Sequence, residues 1–490
     1  MSYYLLTGAT GLLGNYLLRD LLLADVPMAV LVRSNRKLSA RQRVEGLLCD
    51  WEEELGRTLP RPVVLEGDIS QPDLGLDAND LRWASEYCGS LIHNAASLSF
   101  QATSPEGEPY RSNVGGTQNV LDFARAAGIR QFHHVSTAYI AGLREGRVLE
   151  TETDVGQTLG NDYEKAKIAA EQLVRQTEFA EPTTVFRPGI IIGDSRTGFT
   201  TTYHGFYAAL QLVHMISGAM ARDETGKVGG HVVRLALSGT ETKHLVPVDW
   251  VSAAMAHVIT HPECHGQTYH LTPPHPVTTR LIRDVLEEAV GLYGAMLAGV
   301  DYQPSYLNEP EALFHEHIKI YNSYWRMDPE FDRTNVETML PHLPCPHVDR
   351  ALLLKLSRAA IDAGFPTPSK KPVELTFDAQ GWMQPWLDLG ASLTGRQPRN
   401  RLLGLDVRGA GGGQWQLIVQ NGHVVGAETG IHAERASVCQ TDVSTLANLA
   451  NGRQSWQTAL ANGSAILVGN GLAEHEYAAL LDQLHDVTVT

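Results

Sequence analysis

The sequence predicts an α/β chain: a doubly wound parallel sheet carrying a helical cap, followed by a small α+β module. Three observations predict it. Short apolar and β-branched runs alternate with stretches of helical period from residue 3 to about 275. A glycine-rich turn, Gly8 to Gly14, separates the first such run from the first helical stretch. After residue 400 the pattern changes to strand-like alternation interleaved with short helices.

The strands expected in order are 3–9, 29–33, 63–69, 90–96, 131–140, 183–192 and 268–272. Helical stretches over 15–23, 117–128 and 163–176 lie between them. Strands alternating with helices place parallel neighbours in one sheet and helices on both faces. Residues 281–298 and 349–364 read as further helices flanking an aromatic- and proline-rich piece with the character of a substrate cap. The proline-rich run 365–400 reads as a linker. The division is therefore 1–275 for the nucleotide-binding unit, 276–395 for cap and linker, and 396–490 for the last module.

Composition narrows the function classes. The 490 residues exceed one ordinary domain, and 55 acidic against 39 basic residues give a net charge of −16. That balance repels a phosphate backbone and argues against nucleic-acid binding. Cys49, Cys88, Cys264, Cys345 and Cys439 are scattered and never form a CxxC pair, which fits a reducing compartment and offers no metal site. The apolar runs are too short for a transmembrane segment, and no secretory leader precedes the first strand. A soluble cytoplasmic protein is expected, its oligomeric state open with a homodimer among the options.

The glycine-rich turn reads Gly8-Ala9-Thr10-Gly11-Leu12-Leu13-Gly14, directly after a strand and opening a helix. In that context one glycine permits the turn, the next lets backbone approach a pyrophosphate, and the third lets helix pack on strand. The end of the second strand then selects the nucleotide. An acidic residue there would hold ribose hydroxyls, but the chain has Arg33-Ser34-Asn35-Arg36. Guanidinium groups suit a 2′-phosphate, so NADPH is the expected cofactor, with Arg33 and Arg36 as its readers. Asp68 and Ile69 end the third strand, where a carboxylate can accept from the adenine amine. Asn94, Ala95 and Ala96 end the fourth and let backbone lie beside the cofactor. This is a Rossmann-type arrangement.

Tyr163 and Lys167 lie four apart, on one face of a helix. A cationic amine near a phenol is expected to lower its pKa into a useful range. Ser136 and Thr137 end the preceding strand and place hydroxyls where a substrate carbonyl oxygen would be held.

Across residues 3 to about 275 these motifs resemble the extended short-chain dehydrogenase/reductases. The resemblance implies a catalytic set of strand-end hydroxyl, tyrosine and lysine: Thr137, with Ser136 as alternate, then Tyr163 and Lys167. It also implies that Asn113 starts the helix beneath the site. Several segments, above all Arg187-Pro188-Gly189-Ile190-Ile191-Ile192-Gly193-Asp194-Ser195-Arg196-Thr197-Gly198, resemble the branch holding fatty acyl-CoA reductases and thioester reductase domains. Pro188 and Gly189 would line the cofactor there. The resemblance implies reduction of an acyl thioester, carried by coenzyme A or an acyl carrier protein, to an aldehyde and, with a second hydride, an alcohol. A hydroxysteroid or 3-hydroxyacyl dehydrogenase is the alternative enzyme, and a non-catalytic NADPH-sensing lipid carrier or scaffold the alternative outside catalysis.

Residues 314–335, with Phe314, Tyr321, Tyr324, Trp325 and Phe331, could line an acyl tunnel or simply pack the cap. His315 and His317 lack a third ligand at a metal-binding spacing and read as a surface pair. The last module, through Gln414-Trp415-Gln416-Leu417-Ile418-Val419 and the run 459–469, resembles a sterol carrier protein type domain, which implies an apolar slot for a lipid.

Overall fold

A computed structural model describes residues 2–218, 233–303, 306–308, 311–312, 314, 316, 323–365, 372–393, 401–432, 437–469 and 474–485. Seven strands form the expected sheet: β1 (Tyr3–Thr7), β2 (Met28–Val32), β3 (Val63–Glu66), β4 (Cys88–His93), β5 (Gln131–Val135), β6 (Thr184–Pro188) and β7 (Thr268–Leu271). All neighbours are parallel, in the order β7-β6-β5-β4-β1-β2-β3. The order reverses between β1 and β4, and the crevice for a ligand opens at the carboxyl ends on either side of that point. Each strand stops short of its expected end, because Gly67–Ile69, Asn94–Ala96 and Ser136–Thr137 leave the ladder to form that crevice.

Five helices flank the sheet: α1 (Leu12–Leu23), α2 (Ala40–Leu55), α3 (Ala78–Tyr87), α4 (Gly116–Ala126) and α5 (Asp162–Gln176). Ser39 and Gln42 form a reciprocal capping box that fixes where α2 begins. Fully apolar strands such as Met28–Val32 are buried on both faces, as a covered parallel sheet requires.

The cap is built on α6 (Phe206–Gly218), α8 (Thr279–Val290) and α9 (Arg350–Asp362), whereas α7 (Val248–Thr260) packs beside α1 in the core of the sheet. Helix α8 is shorter than the expected 281–298. Gly291 closes it in the left-handed conformation at φ 68°, and Ala295–Leu297 then pairs as a strand with Val233–Leu235. Phe206, Leu210, Val285, Leu286 and Leu353 share a second apolar core beside that of the sheet.

The stretch read as linker also holds a helix, α10 (Ala379–Ser392), with Pro385 inside it. Ala379, Met383 and Trp386 are buried in the core of the last module, so this helix belongs with the sheet that follows. That sheet has five strands, β8 (Arg401–Arg408), β9 (Gly413–Gln420), β10 (His423–Thr429), β11 (Ser437–Asp442) and β12 (Ala465–Val468), in the order β10-β9-β8-β11-β12. It is mixed: β8 and β11 run parallel, the other pairs antiparallel. Trp415 and Trp456, both wholly buried, fill its core.

The module docks on the unit of the seven-stranded sheet through buried and part-buried polar contacts. The Tyr3 hydroxyl accepts from Ile431 N at 2.7 Å and donates to Ile431 O at 3.3 Å. The Trp83 indole donates to Thr429 O at 2.7 Å, and Arg41 donates to Gly412 O at 2.6 Å. Among the described residues no helix is long and apolar enough to cross a membrane, and all five cysteines are free.

Candidate active site

One continuous cavity of about 780 Å³ runs along the carboxyl ends of β1, β2, β4 and β5 and on into the cap. Its first stretch is built on the turn after β1. Gly8 has φ 73°, and a Cβ there would meet Ala95 N at 2.7 Å, so the turn closes only with glycine. A Cβ on Gly14 would meet Gly8 O at 2.1 Å, which is why α1 can pack so near the strand. Gly11 caps α1 without any side chain bonding to the first amides, and a Cβ on it would meet nothing closer than 3.5 Å. The first turn of α1 thus offers bare N–H groups to the cavity, and Leu12 and Leu13 line it. These features fit a dinucleotide pyrophosphate.

The wall beyond carries Thr10, Arg33, Asp68, Ile69, Asn94, Ala95, Ala96, Pro188 and Gly189. Asn94 Nδ2 donates to Gly8 O at 3.2 Å, locking the fourth strand's end to the glycine turn. Arg33 pairs with Asp68 at 3.3 Å; although burial opposes it, the Ser70 amide and Arg33 hold the Asp68 carboxyl below its ordinary value. The second guanidinium at this end is Arg43, which the sequence reading passed over. Its Nη2 donates to Thr10 Oγ1 at 2.8 Å and its Nη1 to Arg33 O at 2.5 Å. Arg36 is exposed and does not line the cavity, so Arg33 and Arg43 make the basic pair in place of Arg33 and Arg36. Asn113 is also off the wall. It is buried behind it, accepting from Ser97 N at 2.7 Å and donating to Ser97 O at 3.0 Å, and so shapes the loop after β4.

Beyond the glycine turn the structure brings Thr137, Tyr163 and Lys167 together on the same wall. The Thr137 hydroxyl lies on the side of the Tyr163 phenol, accepts from Tyr139 N at 3.2 Å and donates to Pro188 O at 3.4 Å. Ser136 also lines the cavity, and its buried hydroxyl, on the side of Glu171, has no hydrogen-bond partner among the described residues. Lys167 Nζ donates to Val135 O at 2.7 Å, and burial, against the pull of Glu171, lowers its pKa to about 8. Although burial opposes it, Arg187 holds Glu171 down to about 2, at 2.6 Å in a fully buried pair. The expected lowering of the phenol is not found. Burial and then Glu164 raise Tyr163, because the Lys167 ammonium is turned to the Val135 carbonyl. Tyr163 is therefore a protonated phenol, a donor towards anything in the cavity.

The cavity then enters the cap. Phe100 lies against Tyr163, with ring centroids 5.5 Å apart, and His204 lies beyond it at 6.3 Å. Of the residues proposed for a tunnel, Phe314, Tyr324 and Trp325 line the cavity. Phe331 packs elsewhere, with Ala138, Ala141 and Val148. Tyr321, His315 and His317 lie outside the described residues.

Residues 6–255, just over half of the chain, match the Male sterility protein family of NAD-binding domains. The aldehyde reductase lnaA of Aspergillus flavus is 27% identical over 391 residues, covering 72% of this chain and 35% of that protein. The nonribosomal peptide synthetase asaC of the same fungus is 27% identical over 285 residues, 55% of this chain; the match spans 26% of that synthetase. Among solved structures, the terminal R domain from the myxalamid PKS-NRPS biosynthetic pathway superposes with a TM-score of 0.61 at 27% identity, covering 76% of this chain and 93% of that one. The R domain of a nonribosomal peptide synthetase from Mycobacterium tuberculosis shares the fold, with a TM-score of 0.55 at 22% identity over 74% and 92% of the two chains. The chain belongs to the Male sterility protein family, oxidoreductases of the extended short-chain dehydrogenase/reductase type.

Proposed function

We propose that this protein is an NADPH-dependent reductase of acyl thioesters. The observation that carries the reading is the continuity of one cavity from the glycine turn, past Thr137, Tyr163 and Lys167, into an apolar cap. A nicotinamide cofactor would be held by the first-turn amides of α1 at its pyrophosphate and by Arg33 and Arg43 at a 2′-phosphate. When bound, it supplies a hydride to the thioester carbonyl carbon.

The chain's own residues do the rest. Thr137 and Tyr163 donate hydrogen bonds to the carbonyl oxygen as negative charge develops there, a preorganised stabilisation that is stronger in the transition state than in the ground state. Tyr163, kept protonated by burial, passes its proton to that oxygen. Lys167, fixed by Val135 O, would present its cation to the sugar side of the cofactor. The tetrahedral product then loses its thiol and leaves an aldehyde; a second reduction would give an alcohol. No cysteine nucleophile is required.

The peptide synthetases among the relatives support a carrier-bound thioester, with coenzyme A esters as the soluble equivalent. The scattered free cysteines support a cytoplasmic setting. Following NADPH oxidation with acyl-CoA and acyl-carrier-protein thioesters, and identifying the products, tests the reading. Aldehyde or alcohol formation supports it; no turnover on any thioester, with oxidation of hydroxysteroids or 3-hydroxyacyl groups instead, rejects it.

A further inference from the structure

Resting on the reading of Arg33 and Arg43 as the 2′-phosphate end of an NADPH site, we propose that Arg41 is a positioning residue for cofactor selectivity: held by the last module, it sets the first turn of α2 and through it the reach of Arg43. Ser39 caps α2, so Arg41 and Arg43 are the second and fourth residues of the helix. Two positions along an α-helix are a rotation of about 200°, so the two side chains leave on nearly opposite faces. Arg43 reaches the cavity, where its Nη2 donates to Thr10 Oγ1 at 2.8 Å. Arg41 reaches the last module. Its Nη2 donates to Gly412 O at 2.6 Å and to Gly411 O at 3.4 Å, and its Nη1 to Gln380 Oε1 at 3.3 Å. Among the described residues none of the last module lines the cavity, so whatever the module does to the cofactor passes through this turn.

The packing of α2 leaves that turn to be set by its two arginines. Ala40, Val44 and Leu48, one helical turn apart, bury a single stripe of α2 in the core of the sheet and fix its depth. Arg41 and Arg43 flank the stripe on its two sides, and an exposed loop, Arg33 to Lys37, leads into the helix. Roll of the helix about the stripe is therefore governed by what each arginine holds. The acceptors on the module side are themselves fixed. Ala379 N donates to Gly411 O at 3.2 Å, tying the start of α10 to the turn between β8 and β9. Gly411 has φ 90°, and a Cβ on Gly412 would run into Val407 O, so the turn is this tight only with glycine. A guanidinium-to-phosphate contact depends on direction as well as charge. A roll of α2 would thus weaken the grip on a 2′-phosphate while leaving the pyrophosphate site on α1 as it is.

The test is titration of the full chain with NADPH and NADH, for wild type, Arg41→Ala, Gln380→Ala, Arg43→Ala and the Arg41→Ala/Arg43→Ala pair, with thermal unfolding beside it. Arg41→Ala should weaken NADPH binding about three- to tenfold, the range of one net hydrogen bond, and NADH binding less than about twofold. Gln380→Ala, which removes one of three acceptors from the module side, should move the ratio of the two affinities the same way by about twofold. In the Arg43→Ala background, loss of Arg41 should leave that ratio where Arg43→Ala put it, because a side chain acting through Arg43 has nothing left to position. An Arg41→Ala protein that unfolds at lower temperature but keeps the wild-type ratio, or losses that add in the double variant, overturns the proposal and leaves Arg41 as a fastening of the module. Should Arg41→Ala not fold, an unchanged ratio in Gln380→Ala overturns it equally. Equal affinities in the wild type, or a ratio that Arg43→Ala leaves unmoved, overturns the NADPH reading beneath it.

Discussion

Arg43 Nη2 donates to Thr10 Oγ1 across 2.8 Å, tying the first turn of α2 to the glycine-rich turn at the proposed phosphate end of the cavity. Its other amine holds the carbonyl of Arg33, so two guanidinium groups converge where a 2′-phosphate would sit. Arg43→Ala should weaken NADPH binding about ten- to a hundredfold, the loss of one charge-assisted contact at roughly 1.5–3 kcal/mol, and NADH binding much less. Arg36→Ala, with its side chain outside the cavity, should change neither. Fluorescence titration of both cofactors measures this, and equal affinities for NADPH and NADH in the wild type would contradict it.

Tyr163→Phe should lower turnover by about two to four orders of magnitude, the usual worth of a positioned proton donor, with NADPH affinity nearly unchanged. Thr137→Ala should also lower kcat, because its hydroxyl shares the same oxygen. Ser136→Ala should act more weakly, since its buried hydroxyl lies on the Glu171 side and makes no hydrogen bond among the described residues. Steady-state kinetics with parallel cofactor titrations distinguishes these outcomes.

Burial brings the Lys167 amine down to about 8 from an ordinary value near 10.5. The folded protein therefore holds it as a cation below that pH and as a neutral amine above it. If the cation supports the cofactor sugar, kcat/KM falls as the pH rises through about 8. A pH–rate profile flat to well above that value would show that the charge is not used.

Tyr3→Phe removes both hydrogen bonds to Ile431 from a buried contact between the two sheets. The expected cost is about 1–3 kcal/mol, because Ile431 N and O are left buried without that partner. Thermal unfolding should detect it, with cofactor affinity unchanged since Tyr3 lies at the amino end of β1, opposite the cavity.

The sheet and the glycine turn were legible because their signals are local: runs of buried residues, and glycines at spacings that only a turn between strand and helix needs. Thr137, Tyr163 and Lys167 were legible for the same reason, being set by one strand end and one helical turn. Arg43 was not, because its direction depends on where α2 begins, which the Ser39–Gln42 box decides. Helix α6 was passed over although Phe206, Ala209, Val213 and Ile216 carry a helical period, and what that face confronts is settled only by tertiary packing. Helix α10 was hidden by Gly381 and Pro385, residues that ordinarily argue against a helix. The phenol's raised pKa depends on burial and on which way Lys167 turns, and neither is written in a four-residue spacing.

The most direct measurement is the yield of free thiol per NADPH oxidised when the full chain acts on dodecanoyl-CoA, for wild type and Tyr163→Phe side by side. If Thr137 and Tyr163 act on a thioester carbonyl, the wild type releases one thiol for each aldehyde formed, with one NADPH consumed at that step, and Tyr163→Phe loses both signals together. NADPH oxidation without thiol release, or a Tyr163→Phe enzyme that keeps the wild-type rate, would contradict it.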